Sequence, residues 1–290
     1  MEHIDDPETW KRIEDIPDEE LWLVRQHLKR KLVAYMRESA REQWLSCNVH
    51  PVQVVASGVL LNPYALTIGF ARRFATYKRA SLILRDFNRL MSIINRPNMP
   101  VQIIFAGKAH PADEPAKLLI QELYRSVKKA ETGGRLVFLE DYDMNLARYL
   151  TQGVDVWLNT PRRPNEASGT SGQKAALNGV LNFSVLDGWW REGFNGRNGW
   201  AIGDDADFTD LNQQDDADAK NLYDTLEKEI IPLFYHARSA DGLPSDWIER
   251  MKESIRTLAP QFSARRMLKE YTERMYCPTK GDPDNEAATK

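Results

Sequence analysis

The sequence predicts an α/β domain built on a doubly wound parallel sheet, with helical segments at both ends. Three observations favour this fold. Short apolar runs recur without the alternation of a half-exposed strand, so each suits a strand that is buried on both faces. Amphipathic helical stripes separate these runs, and this alternation of strand and helix is typical of a parallel sheet covered by helices. Amphipathic segments without strand character precede and follow the alternating part.

The amino-terminal part predicts one long helix from Pro17 to about Ser46. Its apolar residues recur at spacings of three and four, which places them on a single helix face. These residues are Leu21, Val24, Leu28, Leu32 and Tyr35. Acidic residues at its start suit the positive end of the helix dipole. The next segment, Asn48 to Leu61, has no clear period, and we interpret it as a linker or an irregular strand.

Four apolar runs predict the strands of the sheet, at 65–70, 101–107, 135–140 and 154–159. Two helical stripes lie between them, one from Ala80 to Ile94 and one from Leu118 to Val127. From about Asp216 the pattern is helical again, and it ends in an amphipathic helix over 263–276.

These patterns divide the chain into four parts. They are a helical segment with its linker at 1–60, a Rossmann-like domain at 61–206, carboxy-terminal helices at 207–276 and a polar tail at 277–290.

Composition excludes several classes of partner. The net charge of −3 over 290 residues gives no overall attraction to nucleic acid or to an anionic membrane, so any basic site must be local. The apolar stretches are far shorter than the ~20 residues that cross a bilayer, and the acidic amino terminus does not resemble an export signal. The two cysteines, Cys47 and Cys277, match neither a metal site nor a disulfide framework. We therefore expect a cytoplasmic protein without a bound metal.

Ligands of such sheets bind outside the carboxyl ends of the strands, so the residues after each run are the first candidates. The first run is followed by ARRFATYKRA, which holds Arg72, Arg73, Lys78 and Arg79. Four cations beside a helix start suit an anion, phosphate above all. The alternative is a solvated basic start of a helix.

The second and third runs also lead into polar turns. Lys108, His110 and Asp113 follow the second run and form either a ligand cluster or a structural turn in which Asp113 caps a helix. After the third run, Asp143 is predicted to cap a helix beginning near Met144. Glu140 and Tyr142 therefore remain there as site candidates.

The fourth run leads into EASGTSGQKAALNG, in which a turn of small residues precedes a helix that contains Lys174. Small residues let the backbone approach a ligand, and the amides of a helix start suit a phosphate. A lysine one turn inside the helix can neutralise that phosphate or, with its pKa lowered by burial, form a Schiff base. The alternative is a flexible turn followed by a surface lysine. Further on, Trp189 and Trp190 form either a sugar platform or ordinary packing.

Taken together, five ordered segments resemble the α-glucan phosphorylases, particularly bacterial members with a short carboxy-terminal region. The segments are FARRFATYKRA, AGKAHPADEPAK, VFLEDYD, VDVWLNTPRRPNEASGTSGQKAALNG and LDGWWREGFNGRNGWAIG. Similarity extends from about Trp10 to about Tyr276. The resemblance implies the second Rossmann-like domain of a GT-B fold. It also implies cleavage of α-1,4-glucan by inorganic phosphate to release glucose 1-phosphate, with the phosphate group of pyridoxal 5′-phosphate as the proton shuttle.

The resemblance also implies residue roles. Lys174 matches the lysine that forms the Schiff base with the cofactor, and the expected catalytic residues are Arg73, Lys78 and Lys174. The expected cofactor ligands are Lys174, Arg72, Lys78, Tyr142, Thr170 and Ser171, the last two through their amides. The expected substrate ligands are Arg73 for phosphate, Tyr77 in the same pocket, and Glu166, Ser168 and Gly169 for sugar hydroxyls.

The chain departs from the family pattern in two ways. Gln173 stands where the family usually has Met, which puts a polar amide beside the cofactor. The amino-terminal Rossmann domain, which brings a glycine-rich loop and a histidine to the site, has no counterpart in the 290 residues. We therefore expect the chain to be inactive without that domain, which would be a partner if it is separately encoded. A non-catalytic remnant or a cofactor- or glucan-binding module is the alternative. A nucleotide-sugar glycosyltransferase is disfavoured, because such an enzyme has no use for the Schiff-base lysine.

Overall fold

A computed structural model of the chain describes residues 3–47, 50–203, 208–236 and 238–277. Within these residues a six-stranded sheet forms, with every pairing parallel and the order β3-β2-β1-β4-β5-β6. The strands are β1 Leu66–Ala71, β2 Val101–Ala106, β3 Leu136–Leu139, β4 Val156–Asn159, β5 Leu181–Val185 and β6 Gly199–Ile202. This is the order of a doubly wound dinucleotide-type sheet, so the predicted fold class is confirmed.

The four predicted strands coincide with β1 to β4, whereas β5 and β6 were not predicted as strands. Both missing strands interrupt the apolar pattern. Asn182 and Ser184 are buried in β5, and Gly199 opens β6. Side chains that bond to neighbouring elements explain the buried polar positions, and such partners are not visible in a local pattern.

Helices cover both faces of the sheet. They are α1 Pro7–Lys11, α2 Asp18–Cys47, α3 Pro51–Ala56, α4 Phe87–Ile94, α5 Glu114–Val127, α6 Met144–Gly153, α7 Thr170–Leu177, α8 Trp189–Gly193, α9 Leu211–Thr225, α10 Ile231–Tyr235, α11 Ser245–Gln261 and α12 Ala264–Tyr271. No helix among the described residues is both long enough and apolar enough to cross a membrane.

Three expectations about helices need correction. The predicted linker or strand at Asn48–Leu61 contains helix α3, because Pro51 suits a first helical position and His50 with Gln53 forms a reciprocal cap. The stripe from Ala80 to Ile94 is not one helix, since the Asp86 carboxylate accepts a bond from the Arg89 amide at 2.9 Å and starts α4 afresh. The long helix α11 was not distinguished in the helical carboxy-terminal region. Apart from Cys277, the predicted polar tail lies outside the described residues.

Helix α2 is fastened to the amino-terminal end of the sheet by buried charge. The Lys29 ammonium pairs with the Asp155 carboxylate and also donates to the Ala65 carbonyl at 2.5 Å. Arg25, one turn earlier, is also buried and donates to the Val154 carbonyl at 2.5 Å. Asp155 in turn accepts the Thr67 amide at 2.8 Å, so one carboxylate joins the helix to β1. These contacts lie at the amino-terminal ends of the strands, opposite the carboxyl ends that form the site.

Candidate functional site

Strands β1 and β4 are neighbours at the centre of the sheet, where the direction of winding reverses. A crevice opens at such a point, outside the carboxyl ends of the two strands. Arg72 follows β1, and its Nη1 donates to Oδ1 of Asn159, the last residue of β4. Asn159 Nδ2 then donates to the Ser184 hydroxyl on β5 at 3.1 Å. A polar chain therefore fixes the Arg72 guanidinium across three strands.

Three charged side chains converge on this point and are buried together. Arg72 Nη2 lies 2.9 Å from Glu166 Oε2, and Lys78 Nζ lies 3.1 and 3.0 Å from the two oxygens of the same carboxylate. Each of the three is less than one tenth exposed. Two cations against one carboxylate leave one net positive charge in a poorly solvated place. Such a cluster attracts an anion.

The electrostatic environment of Arg72 supports this description. Burial lowers the pKa of its guanidinium, while Glu166 is the main opposing influence and Tyr77 and Tyr142 contribute in the same direction as Glu166. Burial likewise raises the pKa of Tyr142, and the positive charge of Arg72 opposes that shift. Arg72 Nε is buried and has no hydrogen-bond partner among the described residues. One donor of the cluster is thus left for another acceptor.

Lys78 is aimed into the cluster by the turn that follows it. Arg79 adopts a left-handed conformation with φ of 45°, and it donates to the Thr160 and Pro161 carbonyls at 3.0 and 2.9 Å. The Thr160 hydroxyl donates back to the Lys78 carbonyl at 3.0 Å. Lys78 Nζ also lies 4.9 Å from the centre of the Tyr77 ring. The segments after β1 and β4 are thereby locked together.

The four predicted cations do not form a single site. Arg79 leaves the cluster and instead pairs with Asp215 and Asp218 of α9 at 2.8 and 2.7 Å, so its role is structural. Arg73 is exposed and lines a separate depression of about 350 Å³ with His110 and Asp113. Of the four, Arg72 and Lys78 meet at the Glu166 carboxylate.

The turn after β2 is largely structural in its contacts. Asp113 Oδ1 accepts the Ala116 amide at 3.0 Å and caps α5, which confirms the predicted cap. His110 Nδ1 accepts the Ala112 amide at 3.1 Å. Lys108 is exposed. After β3, Asp143 caps α6 as predicted, accepting the Leu146 amide at 2.7 Å, while Glu140 is exposed.

The small-residue turn leads directly into helix α7, as predicted. Gly169 adopts φ of 102°, and no side chain among the described residues caps the helix that begins at Thr170. The first amides of α7 are therefore free of the usual internal partner. At Gly172, a Cβ atom would lie 2.6 Å from Asn182 Oδ1 and 2.8 Å from the Trp189 ring. Only glycine fits at that position.

Lys174 lies one turn inside α7 and is exposed. Its ammonium has no ion pair or hydrogen bond with any described residue, so it is accessible to a ligand. Gln173 beside it is half-buried. Ser168 is half-buried as well, and its carbonyl accepts the Trp189 amide at 3.0 Å. Thr170 is exposed and Ser171 half-buried.

The two tryptophans are packing residues. Trp189 and Trp190 are buried and pack with Ala176, Leu258 and Phe262. Neither offers a face to a sugar, which settles that alternative in favour of ordinary packing.

Sequence reasoning missed three residues of the site, namely Asn159, Ser184 and Asp187. Each is polar, buried and placed at the carboxyl end of β4 or β5. The available signal was a polar residue at the end of an apolar run. It could be used only for β4, because β5 was not recognised as a strand.

The sheet order and this cluster define a Rossmann-type domain with a buried cluster of net positive charge at its switch point. The sequence places it more narrowly: residues 22–208 match the model of the carbohydrate phosphorylase family, and the chain belongs to that family. Over 272 residues it is 50% identical to a glycogen phosphorylase of Aquifex aeolicus, covering 94% of this chain and 39% of the relative. It is 48% identical to a maltodextrin phosphorylase of Thermococcus litoralis, covering 92% of this chain and 31% of the relative.

A glycogen phosphorylase of Mycobacterium tuberculosis is 42% identical over 94% of this chain and 32% of its own length. The chain thus spans between about a third and two fifths of the curated relatives that it matches. The resemblance to the phosphorylases, as a partial match, is confirmed.

Proposed function

We propose that this chain is the pyridoxal-phosphate-bearing half of an α-glucan phosphorylase. Together with the part of the enzyme that its relatives carry in addition, it would cleave α-1,4-glucan with inorganic phosphate and release glucose 1-phosphate. The observation that carries the proposal is the buried cluster of Arg72, Lys78 and Glu166 beside the start of α7. Membership of the carbohydrate phosphorylase family favours this activity over a nucleotide-sugar transfer.

The residues present fit pyridoxal 5′-phosphate. The phosphate would be held by Arg72 and Lys78, whose excess charge is buried, and by the amides of Thr170 and Ser171 at the uncapped start of α7. The Nε of Arg72, which bonds to no acceptor among the described residues, is a further donor. The exposed ammonium of Lys174, which bonds to no described residue, would hold the other end of the cofactor. Tyr142, near enough to Arg72 for their charges to interact, is a further candidate contact.

When bound, the cofactor would supply a phosphate group whose second pKa near 6 suits proton exchange around neutral pH. The protein must then hold two phosphates side by side, which repel each other strongly when their charge is not offset. Arg72 and Lys78 would offset the charge of the cofactor phosphate. Arg73 is the proposed cation for the substrate phosphate; its exposed side chain lies in the depression with His110 and Asp113 and would have to turn toward the crevice to reach that phosphate.

Glu166 is the residue that would orient the sugar. Its carboxylate accepts from both cations, and carboxylate oxygens also accept hydroxyl protons of a glucosyl unit. The half-buried Ser168, Gly169 and Tyr77 are further candidates for contact with the sugar. These groups bind and orient; none of them needs to transfer a proton.

The test is an assay of glucose 1-phosphate release from maltodextrin with saturating pyridoxal phosphate. The chain alone should show no turnover, because a crevice open on one side leaves both phosphates in water and loses much of the ~7–11 kcal/mol that positioning contributes. Adding the separately expressed amino-terminal part of a similar phosphorylase should restore turnover. Cofactor binding without any restored turnover would instead favour a non-catalytic cofactor- or glucan-binding module.

A further inference from the structure

We propose that Asp187 is a positioning residue that holds the Glu166 carboxylate against Arg72 and Lys78 and so sets how tightly this site binds phosphate. The inference rests on the proposed function, because it takes the two cations as phosphate ligands. It adds a residue in the turn after β5, a different loop from those that carry Arg72, Lys78 and Glu166.

Both oxygens of Asp187 are bound to backbone amides. Oδ2 accepts the Glu166 amide at 2.8 Å, across 21 residues of sequence, and Oδ1 accepts the amide of the adjacent Gly188 at 2.9 Å. The side chain is 6% exposed, and it pairs with no cation among the described residues. The Asp187 carboxylate therefore connects the turn after β5 to the backbone of Glu166.

The two segments that Asp187 joins pack closely against each other. A Cβ atom on Gly188 would lie 2.4 Å from the Ser168 carbonyl oxygen and 2.8 Å from that of Glu166, and Gly188 has φ of 54°. The Trp189 amide donates to the same Ser168 carbonyl at 3.0 Å. Contacts from three successive residues thus fix the stretch from Glu166 to Ser168, which leaves the Glu166 side chain few ways to leave the cations.

A fixed Glu166 opposes phosphate binding. Its carboxylate lies about 3 Å from both Arg72 and Lys78, so any phosphate that binds these cations shares them with a buried like charge. Asn at position 187 would keep one acceptor oxygen but turn an NH₂ group toward one of the two amides. The Glu166 backbone would then be free to shift, its carboxylate would move off the cations, and phosphate would bind more tightly.

The experiment is calorimetric titration with inorganic phosphate of the wild-type chain, Asp187→Asn, Glu166→Gln and the double variant, with Tm measured for each. Glu166→Gln should tighten phosphate binding by about tenfold, since it removes the competing charge. Asp187→Asn should tighten it by roughly threefold. In the Glu166→Gln background Asp187→Asn should have no further effect, because Asp187 acts through that carboxylate.

The sign of the change separates positioning from folding. A residue that only stabilises the loop would, when changed, weaken phosphate binding as Tm falls. As a control, Asp86→Ala removes another carboxylate that accepts a backbone amide, at the start of α4, and should lower Tm without changing phosphate affinity. If Asp187→Asn does not fold, Asp187→Glu, with both oxygens on a longer stem, takes the same test and the same expected direction.

Unchanged or weaker phosphate binding in a folded Asp187 variant would overturn the inference while leaving the proposed function standing. Arg72→Met distinguishes the two failures. If that variant binds phosphate as well as the wild-type chain does, the cations are not phosphate ligands and both proposals fail.

Discussion

Replacing Asp155 by Asn should destabilise the chain more than replacing its partner Lys29 by Met. The side chains of this pair are only 2% and 4% exposed. Without Lys29, Asp155 still has the nearby positive charge of Arg25 and the Thr67 amide at 2.8 Å. Without the Asp155 charge, Lys29 and Arg25 remain as two buried cations that repel each other. The two halves of one ion pair are therefore not equivalent.

The size of each loss in unfolding free energy follows from the burial of the Lys29–Asp155 pair. Removing one partner of a buried ion pair lowers the unfolding free energy by about 3–5 kcal/mol. Because Arg25 remains as a counter-charge for Asp155, we expect a loss of about 3 kcal/mol for Lys29→Met. In the Asp155→Asn variant, Lys29 can lose its proton, and this limits the loss in unfolding free energy. Deprotonating an ordinary lysine at pH 7 takes about 5 kcal/mol. Burial already lowers the pKa of Lys29, with Asp155 opposing that shift, so we expect about 4 kcal/mol.

The assay is urea unfolding at pH 7, followed by tryptophan fluorescence and by far-ultraviolet circular dichroism. Glu38→Gln is the control, because Glu38 and Arg41 form an exposed pair, 54% and 62% accessible, whose loss should leave the unfolding free energy nearly unchanged. A larger loss for Lys29→Met than for Asp155→Asn, or losses below about 1 kcal/mol for both, would refute the reasoning.

Three further outcomes are expected. Borohydride reduction of the chain with pyridoxal phosphate, then peptide mapping, should label Lys174, and a label on another lysine would contradict its assignment. In enzyme reconstituted with an amino-terminal part, Arg73→Ala should weaken the use of phosphate sharply while Tm stays nearly constant, since Arg73 is exposed; a large fall in Tm with unchanged phosphate dependence would show a structural role. Burial raises the pKa of Tyr235 to about 12 from 10.0, so its protonated form stabilises the fold up to about pH 10, and that contribution is lost between pH 10 and 12. The unfolding free energy of Tyr235→Phe should therefore fall less steeply than that of the wild-type chain over this range, and parallel slopes would count against the shift.

The sequence predicted the central strands and the helix starts because those features depend on neighbouring residues. Asp113 and Asp143 cap helices where their positions before amphipathic stripes predicted caps. Lys174 likewise lies in the helix that its small-residue turn predicted. In each case the determining contacts lie within a few positions of sequence.

The site depended on distant contacts and was therefore predicted only in part. Arg79 looked like a fourth site cation, yet its left-handed backbone and the acidic residues of α9 turn it away. Asp187 and Ser184 acquire their role only because β5 lies beside β4, and no local pattern indicated β5. The pairing of Glu166 with both Arg72 and Lys78 joins residues 88 to 94 positions apart, and only the sheet order brings them together.

The positive and negative parts of the crevice belong to different kinds of structure. Arg72 is anchored to the ends of β4 and β5 through Asn159 and Ser184, whereas Glu166 stands on a loop that another loop holds in place. Strand ends in a packed sheet open less readily than surface loops, so the guanidinium keeps its position when the loops are changed. We therefore expect substitutions of Glu166, which stands on such a loop, to change the anion preference of the crevice while the sheet stays intact. For protein engineering, this loop position is where anion selectivity can be varied apart from the folding of the sheet.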